Sequence, residues 1–370
     1  MGTTIISIIA FILMIGLLVF VHEFGHFIVA KKNGVGVTEF SIGMGPAIHS
    51  WVKNGTKYSL RWLPFGGYCQ MLGAAAEFPG DSEIEDEEIA ADDEHAFNNK
   101  NVWARIAILF AGPVFNFVLA FLLALLLTAL VGYTPSGISA VTEGYPAAEA
   151  GLQAGDLIVR IDNENMHFFK EITMYMTMHE DEPMKITYER GGERHETTLE
   201  PKFSEDEGRY LIGIVSPART ENLNLGEVLK YGSYEFLYNT KVVIKSFIML
   251  FSGKASFNDL SGPVGIAGAI GDIVKEVEED TKTETFWVTL YWVLVNLISF
   301  ATMISANLGL VNLFPIPGLD GGKIFICLIE AVRGKPIPKK AEGIVTVIGV
   351  VLLLLLTIAV FFNDIRKLFI

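Results

Sequence analysis

The chain has 370 residues, of which 51% are hydrophobic and 19% are charged, and its mean hydropathy is +0.41. Soluble domains carry about 25% charged residues, so this composition predicts a membrane protein with one soluble part. The 26 phenylalanines and the long aliphatic runs exclude a disordered chain. A net charge of −14 gives no electrostatic reason to bind nucleic acid. The only two cysteines, Cys69 and Cys327, are far apart in the sequence and are expected to be free thiols.

Four long apolar segments predict four transmembrane helices, because a helix needs about 20 apolar residues to cross the hydrocarbon core. The segments are residues 1–31, 105–132, 285–322 and 343–363. A cleaved signal peptide is the alternative interpretation of the first segment. That segment has neither a basic beginning nor a small-residue cleavage site, and this favours the transmembrane helix.

The orientation of these helices follows from the basic residues in the short loops, which collect on the cytoplasmic side of membrane proteins. Such residues follow the first segment, precede the second and separate the third from the fourth: Lys31, Lys32, Lys100, Arg105, Lys323, Arg333, Lys335, Lys339 and Lys340. They share one side if the N-terminus is outside. We therefore expect residues 31–105 inside and residues 133–284 outside. Arg366 and Lys367 then lie outside, which is a small contrary signal.

The segment 32–104 is predicted to be a β region followed by an acidic loop. Several glycines and short apolar runs between residues 36 and 73 indicate short strands broken by turns. Because unpaired strand edges do not face lipid, this region is expected in water, at the membrane interface or against protein. Residues 77–94 contain ten acidic residues and no basic one. No motif explains this acidic strip, and its role stays open.

Residues 137–216 are predicted to form a compact α+β domain on the outer side. Strands are expected at 140–142, 157–161 and 185–190, with a hairpin turn at Gly191-Gly192. The segment 146–161, which reads PAAEAGLQAGDLIVRI, resembles the signature of PDZ domains in bacterial membrane proteases. PDZ domains bind an extended peptide at a sheet edge, so a peptide ligand is implied; a β-rich domain without a ligand is the alternative.

Residues 217–284 are predicted to be helical and amphipathic. Apolar positions such as Val228, Leu229 and Tyr231 alternate with Lys230 and Lys241. A helix on the membrane surface and a helix packed against the preceding domain both fit this pattern, and the sequence leaves the two open.

A candidate metal-binding motif lies in the first apolar segment. His22-Glu23-Phe24-Gly25-His26 places two histidines four residues apart, which puts both imidazoles on one face of a helix. Glu23 lies beside them, within reach of a metal-bound water. Polar residues that merely extend to the interface are the alternative, but three of them would be costly at this position without partners.

Asp320 is the candidate third ligand, since a catalytic zinc site uses three protein ligands and leaves one position for water. It ends the uncharged run 285–319, and Pro315 and Pro317 interrupt the helical pattern just before it. In the predicted topology the ends of the first and third segments lie on the same side, so Asp320 can meet His22 and His26. An Asp-Gly turn residue without a metal is the alternative.

These motifs together resemble the site-2 protease family, and in particular the bacterial regulator-of-sigma-E proteases with one PDZ domain. The shared elements are the HEFGH motif, the PDZ-like domain, GPVFN at 112–116, SGPVGI at 261–266 and NLFPIPGLDGG at 312–322. The resemblance covers nearly the whole chain and implies a polytopic α-helical membrane protein. The resemblance further implies four transmembrane helices, a membrane-associated β region, an extracytoplasmic PDZ domain and a location in the bacterial cell membrane.

The same resemblance implies the chemistry. It assigns Zn²⁺ to His22, His26 and Asp320, the general-base role to Glu23, and contact with substrate or the tetrahedral intermediate to Asn116. A polar residue for helix packing is the alternative for Asn116. The implied substrates are single-span membrane proteins, either trimmed anti-sigma factors or remnant signal peptides. The β region is a candidate partner for an unwound substrate strand.

Two other classes of protein remain as competing hypotheses. One is a PDZ membrane scaffold whose protease site has decayed, but decay has no reason to spare His22, Glu23, His26 and Asp320 together. The other is a metal transporter with the same ligands. Four helices are few for a transporter, and no inverted repeat relates the two halves of the sequence.

Overall fold

The computed structural model of the protein describes residues 2–74, 93–254, 256, 258 and 260–367. Most of the acidic strip 77–94 therefore lies outside the described residues. The chain divides into two compact units, one formed by residues 1–123 and 239–370 and the other by residues 124–238.

The described helices and strands follow one another in this order: α1 Gly2–Lys32, β1 Val37–Lys53, β2 Thr56–Met71, a 3-10 turn Phe97–Asn99, α2 Val102–Val131, β3 Ala140–Val141, α3 Pro146–Glu149, β4 Leu157–Ile161, β5 Glu164–Asn165, α4 Phe169–Met178, β6 Met184–Arg190, β7 Glu193–Leu199, β8 Lys202–Ser204, β9 Arg209–Leu211, β10 Ile214–Val215, α5 Leu225–Phe251, α6 Pro263–Asp280, α7 Phe286–Val311, α8 Asp320–Arg333 and α9 Lys339–Lys367.

Four of these helices are long and apolar enough to cross a membrane, which confirms the predicted number. Their apolar stretches are Ile6–Lys32, Val102–Val131, Phe286–Val311 and Gly343–Lys367. Large aliphatic side chains remain exposed along them, as expected for surfaces that face lipid. The third helix ends at Val311, earlier than the predicted segment 285–322, because the chain turns at Pro315 and Pro317 and begins a separate helix.

Helices α1, α6 and α7 share an apolar core in the first unit. Its buried members are Phe11, Met14, Leu18, Ile270, Ala301 and Ile304. The amino end of α6 is held by a carboxylate from α9: Asp364, which is 2% exposed, accepts hydrogen bonds from the backbone N–H groups of Gly262 and Gly265. These groups have no partner inside their own helix, so Asp364 satisfies them and ties α9 to α6.

The β region consists of two long strands, whereas the sequence predicted several short ones. Both strands are bent at glycines in the left-handed region, among them Gly43 and Gly66. Because of these bends, residues 39–42 of β1 pair with residues 67–70 of β2 and also with residues 57–60. The glycines therefore bend continuous strands. As a result, the segment 39–42 of β1 has a paired segment of β2 on each side.

A buried carboxylate connects the segments of this sheet. Glu39 is 4% exposed and accepts hydrogen bonds from Ser59 Oγ at 2.5 Å and Arg61 Nη2 at 2.9 Å. Burial raises the pKa of the Glu39 carboxyl, but the hydrogen bonds from Ser59 and Arg61 outweigh it and leave the pKa below its ordinary value. Glu39 therefore stays ionised and connects neighbouring strand segments.

The second unit has the predicted α+β character. Its four-stranded antiparallel sheet has the order β5-β4-β6-β7, and Gly191-Gly192 forms the turn between β6 and β7. The core is aliphatic and centred on Ile158, Ile161, Ile172 and Ile186, each 0% exposed. The two ends of the domain are joined by an antiparallel bridge in which Tyr133 and Thr220 exchange backbone hydrogen bonds.

The first half of α5 packs on this domain. Tyr231 stacks on Tyr133 with ring centroids 3.7 Å apart, and Lys170 forms an ion pair with Glu235 at 2.6 Å. For residues 225–238 the structure therefore matches the second of the two interpretations that the sequence left open, a helix packed against the domain.

Candidate metal centre

The site begins with a close contact between the backbones of α1 and α2. Gly25 lies so near α2 that a Cβ atom on it would be 2.5 Å from the carbonyl oxygen of Ala111. Gly112 is equally confined, since a Cβ atom there would be 2.3 Å from His26 Nε2 and 2.8 Å from His22 Cε1. A Cβ atom at Gly25 would meet backbone and one at Gly112 would displace the imidazoles, so the two glycines allow the histidine face of α1 to lie against α2.

Three side chains converge at this contact. His22 Nε2 and His26 Nε2 are 3.2 Å apart, and they lie 3.1 Å and 3.3 Å from Asp320 Oδ2. For zinc–ligand bonds of about 2.0 Å, a regular tetrahedron has edges of about 3.3 Å. The three atoms thus form one face of a tetrahedron of the size that zinc requires, and the fourth corner is left for water.

The donor atoms also have the character that a cation requires. Asp320 Oδ2 is buried and accepts no hydrogen bond from the part of the chain that the structure describes, although two imidazole nitrogens lie within 3.3 Å of it. His26 Nδ1 lies 2.8 Å from the carbonyl oxygen of Ile108, so Nδ1 carries the proton and Nε2 presents a lone pair. When His22 Nε2 also carries no proton, three lone pairs meet at one point and repel one another unless a cation lies between them, so the residues fit Zn²⁺.

Asp320 reaches the site through a tight turn after α7 and is the first residue of α8. The backbone N–H of Gly321 donates to the carbonyl oxygen of Asn312 at 2.7 Å, which ties the start of α8 to the end of α7. A Cβ atom on Gly321 would be 2.3 Å from Phe314 O, and one on Gly322 would be 2.3 Å from Ile316 O. The two glycines after Asp320 therefore allow the turn to fold back onto the helix.

A buried ion pair supports the same helix from α2. Arg105 Nη2 donates to Glu330 Oε2, and the two side chains are 13% and 6% exposed. Glu330 Oε1 also accepts the backbone N–H of Ile337 at 2.7 Å. This pair fixes the far end of α8 to the beginning of α2, so the helix that carries Asp320 is held at both of its ends.

Glu23 on α1 and Asn116 on α2 lie beside these ligands. Glu23 follows His22 on α1, and a Cβ atom on Gly67 of β2 would be 3.5 Å from Glu23 Cγ, so the β region passes beside it. The Asn116 side chain is 0% exposed, and its Nδ2 lies 3.1 Å from His22 Nδ1. All five residues that the sequence suggested for the site are therefore brought together.

The sequence did not indicate the supporting roles of Gly25, Gly112, Ile108 or Asn312. Asn312 Nδ2 lies 3.5 Å from both ring nitrogens of His22. The one available signal was the pair of helix-interior glycines, each of which costs a helix about 0.5–1 kcal/mol relative to alanine and so needs a packing reason.

The family model described as Peptidase family M50 matches residues 10–356, which is most of the chain. The chain belongs to peptidase family M50. This confirms the resemblance to the site-2 proteases that the motifs suggested.

Relatives of known name agree with this family. The regulator of sigma-W protease RasP of Bacillus subtilis is 32% identical over 98% of this chain and 99% of its own length. The zinc metalloprotease RasP of Bacillus licheniformis is 33% identical with the same coverage. A Clostridium acetobutylicum relative, whose name also contains the words zinc metalloprotease, is 36% identical over 97% of both chains.

Among solved structures, matches to a smaller part of the chain occur. The PDZ domain of the SdrC-like protein from Listeria monocytogenes is 27% identical over 23% of this chain and 88% of its own, with a TM-score of 0.21.

Membership of family M50 makes the protein a zinc metalloprotease with several membrane helices. The inactive scaffold and the metal transporter lose their support, because the family and the named relatives are metalloproteases.

We expect Gly112→Ala to weaken zinc binding by on the order of tenfold or more, because the added methyl displaces both imidazoles. The matched control is Gly268→Ala in α6, where a Cβ atom meets nothing within 4 Å. The measurement is zinc affinity of both purified variants by chelator competition, alongside their melting temperatures. Parent affinity in Gly112→Ala would show that the imidazoles do not depend on this close contact.

Proposed function

We propose that His22, His26 and Asp320 bind the zinc of this protease, that Glu23 is its general base, and that it cleaves single-span membrane proteins within or near the bilayer. The observation that supports this most strongly is the triangle of three donor atoms 3.1–3.3 Å apart, formed by residues separated by up to 298 positions. Residues close together in the sequence could form such a triangle through local structure alone. Here the donor atoms come from α1 and α8, and α2 packs against both imidazoles.

The chemistry divides between the metal and Glu23. When bound, zinc lowers the pKa of its water and polarises the carbonyl of the bond to be cleaved. Glu23 accepts a proton from the attacking water and returns it to the amine nitrogen of the leaving peptide. Its position one residue after His22 supports this role, because it places the carboxylate beside the ligands and outside the triangle itself.

The location of the site supports a substrate that lies in the membrane. His26 and His22 precede the end of α1 by six and ten residues, which at 1.5 Å per residue is about 9 and 15 Å of helix. A bond at this depth is accessible to the zinc only in an extended segment, since a helix would shield its own carbonyls. We propose that this segment passes next to Gly67, where β2 lies beside Glu23.

We propose that the substrates are anti-sigma factors already trimmed outside, or remnant signal peptides. The name regulator of sigma-W protease, carried by the Bacillus subtilis relative, supports the first class. We further propose that the protein lies in the bacterial cell membrane with its N-terminus and the PDZ-like domain extracytoplasmic. The basic residues after α1, before α2 and between α7 and α9 support this orientation.

The domain at 137–216 is proposed to screen substrates by the size of their outer part. It interrupts the chain between α2 and α7 on the proposed outer side, so it contributes no group to the chemistry. Binding of a peptide by this domain is compatible with this role, since it would distinguish a trimmed substrate from an untrimmed one.

Glu23→Gln is expected to retain zinc and to lose about 10²–10⁴-fold in cleavage rate, because the amide cannot accept the proton while the ligands are unchanged. The matched control, Glu276→Gln, changes an exposed carboxylate on α6 and is expected to cleave at the parent rate. The measurement is cleavage of a model membrane substrate in detergent, with bound zinc determined on the same samples. Activity within about tenfold of the parent in Glu23→Gln would contradict the assignment of the base.

Removal of residues 137–216 is expected to extend cleavage to substrates with intact outer domains. The bridge between Tyr133 and Thr220 holds the two cut ends close together, so a short flexible linker can replace the domain. The measurement compares trimmed and untrimmed forms of one substrate with the parent and the shortened enzyme. A shortened enzyme that binds zinc and still rejects the untrimmed form would show that the domain does not screen by size.

A further inference from the structure

We propose that Asn116 is a positioning residue for the metal site, whose side-chain oxygen accepts the Nδ1–H of His22 and so fixes the tautomer and the plane of that imidazole. This proposal rests on the proposed function, because it presumes that His22 Nε2 is a zinc ligand. It differs from the expectation that Asn116 contacts the substrate or the tetrahedral intermediate.

The placement of Asn116 on α2 is the first argument. Positions 108, 112 and 116 lie four residues apart and so share one face of the helix. Along this face the carbonyl of Ile108 meets His26 Nδ1, Gly112 lies against both imidazoles, and the amide of Asn116 meets His22 Nδ1. The two histidines of α1 are thus matched by two hydrogen-bonding partners on α2, with a glycine between them.

Burial is the second argument. Asn116 is 0% exposed, so its amide does not reach a substrate in this arrangement of the helices. Its backbone oxygen also accepts a hydrogen bond from Ser305 Oγ of α7 at 2.8 Å, which holds this turn of α2 in place. A residue enclosed in this way acts on the reaction through the imidazole that it contacts.

The orientation of the Asn116 amide decides which ring nitrogen of His22 carries the proton. With Nδ2 of Asn116 directed at His22 Nδ1, that ring nitrogen must be unprotonated, and the proton then sits on Nε2, where it blocks the lone pair. The same orientation leaves Asn116 Oδ1 buried with no hydrogen-bond partner in the described part of the chain. Turning the amide by 180° occupies the same space and presents Oδ1 to Nδ1–H. His22 Nε2 is then free to bind zinc, as His26 Nε2 is.

Metal sites commonly use such a partner. The second N–H of a ligating histidine is usually held by a carboxylate, a carbonyl or water, and loss of this partner lowers metal affinity or activity about 10–100-fold. Asn116 would supply the amide carbonyl in this role, while Ile108 supplies a backbone carbonyl for His26.

The test compares Asn116→Asp with Asn116→Leu in the full-length protein. Asp keeps an oxygen that accepts the Nδ1–H but has no N–H to donate, whereas Leu has neither. We expect Asp to bind zinc with parent affinity or more tightly and Leu to lose about 10–100-fold. Asn296→Leu is the matched control, since that amide donates to Trp292 O within its own helix, and we expect it to keep the parent affinity.

The measurements are zinc affinity by chelator competition, the visible spectrum of the cobalt-substituted protein, and cleavage of a model substrate. An Asp variant with the parent spectrum and substantial activity supports the positioning role. Parent zinc affinity in Asn116→Leu would overturn it, because the imidazole would then need no partner. Parent affinity in Asn116→Asp with turnover abolished would also overturn it, since that result requires an N–H donor to the reacting substrate.

These outcomes separate the two proposals. If only the positioning role is wrong, the parent still binds one zinc and the Leu variant binds it equally well. If the parent binds no zinc at His22, His26 and Asp320, the proposed function and the positioning role are both wrong.

Discussion

The close approach of α1 to α2 at Gly25 and Gly112 is the constraint on which the rest of the site depends. At the normal interaxial distance of 8–10 Å, side chains at these positions would separate the two backbones. Here the backbone of α2 lies directly against the histidine face of α1, with Ala111 O 2.5 Å from the place where a Cβ of Gly25 would be. The contact decides which face of each helix turns inward, and so it decides which residues can become ligands and partners.

The second requirement is to bring a carboxylate to the same point from a different part of the chain. The structure does this by ending α7 at Val311 and starting α8 at Asp320, with the intervening turn folded against Gly321 and Gly322. Helix α9 covers this turn, as non-helical backbone would require if it lay within a membrane. A Cβ atom on Gly349 of α9 would be 2.1 Å from Pro317 O, so this helix lies directly on the turn.

Much of the site could be predicted from the sequence, because its strongest signals are local. Two histidines four residues apart define a helix face by themselves, and Asp320 ends a long uncharged run. The supporting residues could not be predicted in this way. The need for glycine at Gly25 and Gly112 depends on a helix about 90 residues away in the sequence, and the burial of Asn116 depends on α1 and α7 together. The length of β1 and β2 was also missed, since glycines that usually interrupt strands act here as bends within them.

If His22, His26 and Asp320 hold one zinc ion, as we propose, the number of zinc ions bound per chain depends on Asp320. Elemental analysis would compare the parent with Asp320→Asn, and with Asp272→Asn as a control at an exposed aspartate of α6. We expect about one zinc per chain in the parent and in the control, and a steep loss in Asp320→Asn, because a neutral amide oxygen binds zinc poorly. Zinc close to one per chain in Asp320→Asn, with cleavage at the parent rate, would show that Asp320 is not a zinc ligand.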